Sequence, residues 1–107
     1  MSYLDIPAWT VVGPCGKRLR LPRYQYAVVL ALSRVKPGTV VPYEDLNLIV
    51  YGSNNLNMNR AAIKQLIKRV RAALRRVGYP DDFVCVHDGV GVYINPAYAP
   101  SNNVTGN

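Results

Sequence analysis

RAAIKQLIKRVRAALRRV, residues 60–77, decides the reading of this chain. Ile63, Leu66, Ile67, Val70, Leu74 and Val77 recur at i, i+3, i+4 and i+7, the spacing that lays apolar side chains along one face of an α-helix. The remaining surface carries Arg60, Lys64, Lys68, Arg69, Arg71, Arg75 and Arg76, and the run contains no Asp or Glu. A solvated helix normally mixes charges, because opposite charges three or four residues apart stabilise it and like charges repel. Here the repulsion is accepted along the whole helix. A polyanion that neutralises it is the simplest explanation, and DNA is the leading candidate.

On a helical wheel, the face opposite Ile63, Ile67, Val70 and Leu74 is centred on Ala61, Gln65, Lys68 and Ala72. Lys64 and Arg75 flank it on one side, Arg69 and Arg76 on the other. The small Ala61 and Ala72 let the backbone approach a groove floor closely. Gln65 and Lys68 then reach base edges, since Gln suits adenine and Lys suits guanine. Arg69, Arg75 and Arg76 are placed to hold phosphates, which supply affinity without reading sequence. The alternative is a basic helix that is merely soluble.

With 107 residues the chain is one small domain, long enough to bury a core without staples. Half of its residues are hydrophobic and 18% are charged, a globular composition rather than a disordered one. The formal net charge of +7 suits nucleic acid, an acidic membrane surface or an acidic protein. Its distribution is more telling than its size, because seven of the thirteen Lys and Arg residues lie in the one helix. No run is apolar enough to span a membrane. The N-terminus, MSYLDIPAW, has an acid where a signal peptide has basic residues, and it lacks an apolar segment, so a cytoplasmic protein is expected. Cys15 and Cys85 form no CxxC pair and there is a single histidine, so neither a metal site nor a cofactor is expected. Reduced thiols are the simpler reading of the two cysteines, although their spacing also permits a disulfide.

Outward from the basic helix, the chain divides at its glycines and prolines. Trp9–Val12 and Lys17–Leu21 read as short strands around the turn Gly13–Gly16. The basic face of the second strand is either solvated or a further phosphate contact. Tyr24–Val35 has helical spacing, with Ala27, Val28, Leu30, Ala31 and Leu32 as its apolar stripe, and Pro37-Gly38 stops it. Thr39–Val41 is β-prone. Pro42 is expected just inside the next helix, with Glu44 and Asp45 in the first turn and Leu46, Ile49 and Val50 facing inward, before Tyr51-Gly52 ends it. Ser53–Asn59 reads as a polar loop, and Asn59 is the expected cap of the basic helix. Gly78 ends that helix and Pro80 follows. Phe83–Val86 and Val92–Ile94 flank HDGVG as a β-hairpin. Trp9 and the tyrosines at 24, 26, 43, 51 and 93 are expected in the core or at its edge. From Pro96 onward a loose segment is predicted; residues 1–98 are taken as the domain and 99–107 as a flexible tail.

The order of elements is short antiparallel strands, helix, short strand, helix, loop, long basic helix and hairpin. This α+β order predicts a winged helix-turn-helix, with helix 60–77 in the major groove and the 83–95 hairpin as a wing that reaches phosphates or the minor groove. In the hairpin, His87 is able to pair with a phosphate if protonated. Asn54, Asn55 and Asn57 are able to contact phosphates or simply to form turns and caps. No nucleophile–base–acid set and no phosphate-cradling glycine loop is present, so an enzyme is not expected.

Three stretches resemble the DNA-binding effector domain of two-component response regulators of the OmpR/PhoB type. KRLRLPRYQYAVVLALSRVKPGTVVPYEDL is similar to that family's strand, first helix, Pro-Gly turn and second-helix start. IKRVRAAL, residues 67–74, is similar to its basic recognition-helix signature, in which Arg71 is the matching arginine. VHDGVGVYI, residues 86–94, resembles its Gly-x-Gly wing. The resemblance covers roughly residues 9–96 and implies transcription regulation, with a loop before the recognition helix that also touches RNA polymerase. Two departures stand in the wing: Asp88 replaces a basic residue before the first glycine, and Val92 follows the second glycine, with the tyrosine one residue later at Tyr93. An acid there repels phosphate, so deep insertion into the minor groove is not expected. No receiver domain is expected ahead of the effector, and neither is control by phosphorylation within the chain. The expected function is a sequence-specific regulator binding double-stranded DNA as a monomer on a half-site or as a homodimer on repeated sites. The alternative is a winged-helix module that grips an acidic protein, such as RNA polymerase or another regulator.

Overall fold

In the computed structural model, which describes residues 9–98, three helices pack between two small antiparallel sheets. The first sheet pairs β1 (Thr10–Val12) with β2 (Arg18–Arg20), Val11 opposite Leu19. Helices α1 (Arg23–Ser33), α2 (Tyr43–Tyr51) and α3 (Leu56–Arg76) follow, with the two-residue β3 (Val41–Pro42) between the first two. The C-terminal hairpin of β4 (Val84–His87) and β5 (Gly91–Ile94) closes the second sheet in the order β3-β5-β4. This α+β arrangement has the winged-helix-like form expected from the order of elements.

The two halves of the Gly-Val-Gly motif serve separate purposes. Val90 N–H donates to His87 O at 2.9 Å, and Gly89 takes φ +76°, as the third residue of a type II turn must. Gly91 lies flat on β3, where a Cβ would stand 2.0 Å from Val41 O and 2.8 Å from Pro42 Cα. The pairing continues past the strand ends, since Asn95 N–H donates to Phe83 O at 2.8 Å. The hairpin over 83–95 is therefore present as expected.

One core joins Val11 and Leu21, Val28 and Leu32 of α1, Tyr43, Leu46 and Val50 of α2, the inner stripe of α3, and Val84 and Val92 of the hairpin. Of α3, Ile63, Leu66, Ile67, Val70, Ala73 and Leu74 are buried, with Val77 just beyond. At ~1.5–3 kcal/mol per large aliphatic side chain, the five larger ones stabilise the docked helix by roughly 10 kcal/mol before entropy is charged. Like charges at three- or four-residue spacing (60/64, 64/68, 68/71 and 71/75) cost ~0.2–0.5 kcal/mol each, about 1–2 kcal/mol together. Burial exceeds that repulsion several-fold. The helix therefore forms without a bound anion and presents its charge ready-made.

Several expectations are corrected. Pro42 does not start α2; it pairs with Gly91 in β3 and precedes the helix with ψ 153°. Ile49 is 53% exposed, and the fourth inward position of α2 is Asn47, 1% exposed. Trp9 and Tyr24 lie at the surface, 40% and 48% exposed. Arg20 stacks over the Trp9 ring at 5.9 Å, and Tyr24 meets Tyr51 edge-on at 5.2 Å. Tyr26, Tyr43, Tyr51 and Tyr93 are buried or half-buried as expected. The segment from Pro96 is not loose at its start: Pro96–Tyr98 form a 3₁₀ turn, and the Tyr98 hydroxyl donates to Asp82 Oδ1 at 2.7 Å. The tail expected over 99–107 lies outside the described residues.

Candidate nucleic-acid interface

Helix α3 begins four residues before the basic run. The side chain of Asn55, not Asn59, caps it by accepting from Met58 N–H at 3.4 Å. Asn57 is therefore not in the preceding loop but exposed on the first turn of α3. Asn59 has a different task. Its Nδ2 donates to Asn47 Oδ1 at 2.8 Å, while Asn47 Nδ2 donates to Ser53 O at 2.7 Å. Among the described residues Asn47 is the one buried polar side chain, and this amide pair ties α3 to α2 and to the connecting loop. A buried amide is stable only with its partners in place, so the pair helps to fix how α3 sits on the domain.

The far end of α3 is held equally tightly. Gly78 takes φ +103°, its N–H donates to Arg75 O at 3.0 Å, and Tyr79 N–H reaches back to Leu74 O at 3.0 Å. These bonds make a Schellman motif and satisfy carbonyls the helix end would otherwise orphan. The Tyr79 hydroxyl donates to Val12 O at 2.8 Å. The turn after β1 also abuts this end, since a Cβ on Gly13 would stand 1.8 Å from Val77 O.

Between these anchors the structure gathers eight of the ten predicted site residues on α3. Lys64, Gln65, Lys68, Arg69, Arg71, Arg75 and Arg76 are exposed, and Arg60 is half-exposed. Arg71 is exposed like the rest, and Lys68, Arg71 and Arg75 surround one shallow depression with Asp81. Among the described residues the helix has a single carboxylate partner: Arg75 Nη1 lies 3.6 Å from Asp81 Oδ1, both side chains largely exposed. Arg75 and Arg76 sit in the last turn, where cations favour the negative end of the helix dipole. Asn57 adds a ninth predicted residue to the same helix.

His87 is the exception. It lies on the wing at the end of β4, exposed, beside the exposed Asp88, and its side chain has no hydrogen bond or ion pair among the described residues. The wing carries no Lys or Arg over 83–95, and His87 is its one basic side chain. Sequence reasoning missed Asn47. Its signal was present in the spacing of Tyr43, Leu46, Asn47 and Val50, a complete i, i+3, i+4, i+7 stripe with one amide in it.

The described residues also frame an apolar groove of about 460 Å³ between β1, α1 and the end of α3, lined by Val12, Tyr26, Leu30, Leu74 and Phe83 among others. None of the basic residues of α3 lines it, so it is separate from the candidate interface. Both cysteines are free thiols, and no group of three or more potential metal ligands occurs among the described residues. No described helix is long and apolar enough to cross a membrane. No protein-family model matches the chain and no curated protein is significantly similar to it, so the functional reading is carried by the geometry of α3 and its supports.

Proposed function

We propose that the protein is a non-enzymatic, cytoplasmic transcription regulator that binds double-stranded DNA sequence-specifically, in the manner of the OmpR/PhoB-type effector domains it resembles. The observation that carries this reading is α3 itself: its apolar stripe lies in the core, while seven cations face outward with one carboxylate partner among the described residues. In this reading α3 lies in the major groove. Gln65 and Lys68 meet base edges, Arg69, Arg75 and Arg76 hold phosphates, and the β4–β5 hairpin lies alongside as a shallow wing. Lys64, Arg60 and Arg71 line the phosphate rail on one side. Selection of the protein against random duplex DNA is the test. A recovered motif that retains its advantage over random duplex as salt rises supports the reading; enrichment of nothing overturns it.

A second reading rests on different residues. Asp88 makes the wing tip acidic, and Leu48 and Ile49 expose more than half of their surface on α2. Both features suit a protein surface, with RNA polymerase or another regulator as the partner. A stoichiometric partner recovered from nuclease-treated extract, and lost with Leu48→Ser, supports this second reading.

A further inference from the structure

Met58 is the most exposed large hydrophobic side chain among the described residues, at 79%. It stands in the first turn of α3, and burial in the domain does not account for it. Met58, Ala61, Gln65, Lys68, Ala72 and Arg76 follow one another at spacings of three or four, so they form a single ridge opposite the buried stripe. The ridge is divided along its length. Its N-terminal half, Met58, Ala61 and Gln65, carries no charge, whereas Arg60 and Lys64 flank it on one side; on the other, Ala62 borders it and Arg69 follows one turn beyond Gln65.

A neutral crest with cations beside it is the wrong pattern for an acidic protein surface, which would be met better by cations on the crest itself. It matches the major groove, where two phosphate rails border a floor of uncharged base edges. The apolar group on that floor is the C5-methyl of thymine. In helix-turn-helix docking the N-terminal residues of the recognition helix are the ones that contact base edges. An unbranched thioether with three rotatable bonds adapts readily to such a contact.

We propose that Met58 is a specificity-determining residue that seats its thioether end on the C5-methyl of a thymine, about two helical turns of α3 before the contact made by Gln65. This inference rests on the DNA-binding reading of α3 and adds a base preference to it: the protein favours sites with A·T pairs under the N-terminal half of the helix. Contacts of this kind are lost without disturbing phosphate contacts, because the methyl group carries no charge.

The test uses duplexes recovered by selection with the full chain. Each thymine is replaced in turn by deoxyuridine, which removes the methyl group and leaves pairing and backbone intact, and affinity is measured for the wild type and Met58→Ala. The expected result is one position at which deoxyuridine weakens wild-type binding about 4-fold, the equivalent of ~0.8 kcal/mol for one buried methyl group. At that position Met58→Ala binds the thymine and deoxyuridine duplexes equally. Deoxyuridine penalties that are absent everywhere, or the same in both proteins, overturn the inference while leaving the DNA-binding reading in place. Failure to select any duplex overturns both. Because Met58 is 79% exposed, the two proteins are expected to melt together, so a lost penalty reports the contact and not the fold.

Discussion

Replacing Asn47 with alanine removes the amide that joins α2, the loop and α3. Two hydrogen bonds go with it, at 2.7 Å to Ser53 O and 2.8 Å from Asn59 Nδ2. Each is worth ~1 kcal/mol net, and the small void left at a 1% exposed site adds to that. The expected loss is ~2–3 kcal/mol of folding stability, a fall in Tm of roughly 10–20 °C for a domain of this size. Asn59→Ala leaves Asn47 Oδ1 without its Asn59 donor inside the core and costs ~1–3 kcal/mol by the desolvation it leaves uncompensated. Because the two side chains share one bond, the double variant should lose less than the sum of the single ones. Urea unfolding of the four proteins measures all of this in one experiment. A loss under ~0.5 kcal/mol for Asn47→Ala, or additivity across the cycle, refutes the claim that this pair holds α3 in place.

Further outcomes follow from the geometry. Gly13→Ala and Gly91→Ala each drive a Cβ into backbone atoms, at 1.8 Å from Val77 O and 2.0 Å from Val41 O, so both should unfold the domain or lower its Tm sharply. Gly16→Ala, at φ +87° with open space around it, should cost only ~1–2 kcal/mol of backbone strain in the same melting assay. The hydrogen bond from Tyr98 to Asp82 raises the phenol above its ordinary pKa, so its contribution is present below pH about 10 and lost as pH climbs through the higher folded value. Cys85 raises the Tyr93 phenol as well, so ultraviolet titration should show two late-ionising tyrosines, of which Tyr98→Phe removes one and Asp82→Asn moves that same one back down. Asp81→Asn frees Arg75 from the one carboxylate near it and should tighten duplex binding by up to about 5-fold, the ~1 kcal/mol upper end for an exposed pair, with stability unchanged.

What was legible in the sequence was whatever repeats at a fixed period or breaks the chain. The stripe from Ile63 to Val77 located the buried face of α3, Gly78 located its end, and the two glycines of the wing located the turn and the close approach to β3. What was not legible depended on partners distant in sequence. Asn is a poor helix former, so SNNLNMN read as loop, yet Asn55 caps a helix that starts at Leu56 and Asn59 is recruited by Asn47 twelve residues earlier. Ile49 outranks Asn47 on any hydrophobic scale, and only the packing of α2 on α3 reverses their positions. Tyr98 belongs to the domain because Asp82 and Phe83 lie beside it, which the small polar residues of the tail do not reveal. On α3 the sequence marked the exposed cations, but it placed Asn57 in a loop and passed over Met58, whose exposure becomes informative only once the helix is seen to include it.

The central claim is that the cations of α3 are held outward for phosphates, and duplex affinity measured across a salt series tests it most directly. For the wild type, log K should fall linearly with log salt at about 0.9 per phosphate neutralised. Replacing Lys64, Arg69, Arg75 and Arg76 together with glutamine should flatten that line by up to about 3.6, while the fold, whose core these side chains do not enter, stays intact. A folded quadruple variant with an unchanged slope, or a wild type that binds no duplex even at low salt, would contradict the account.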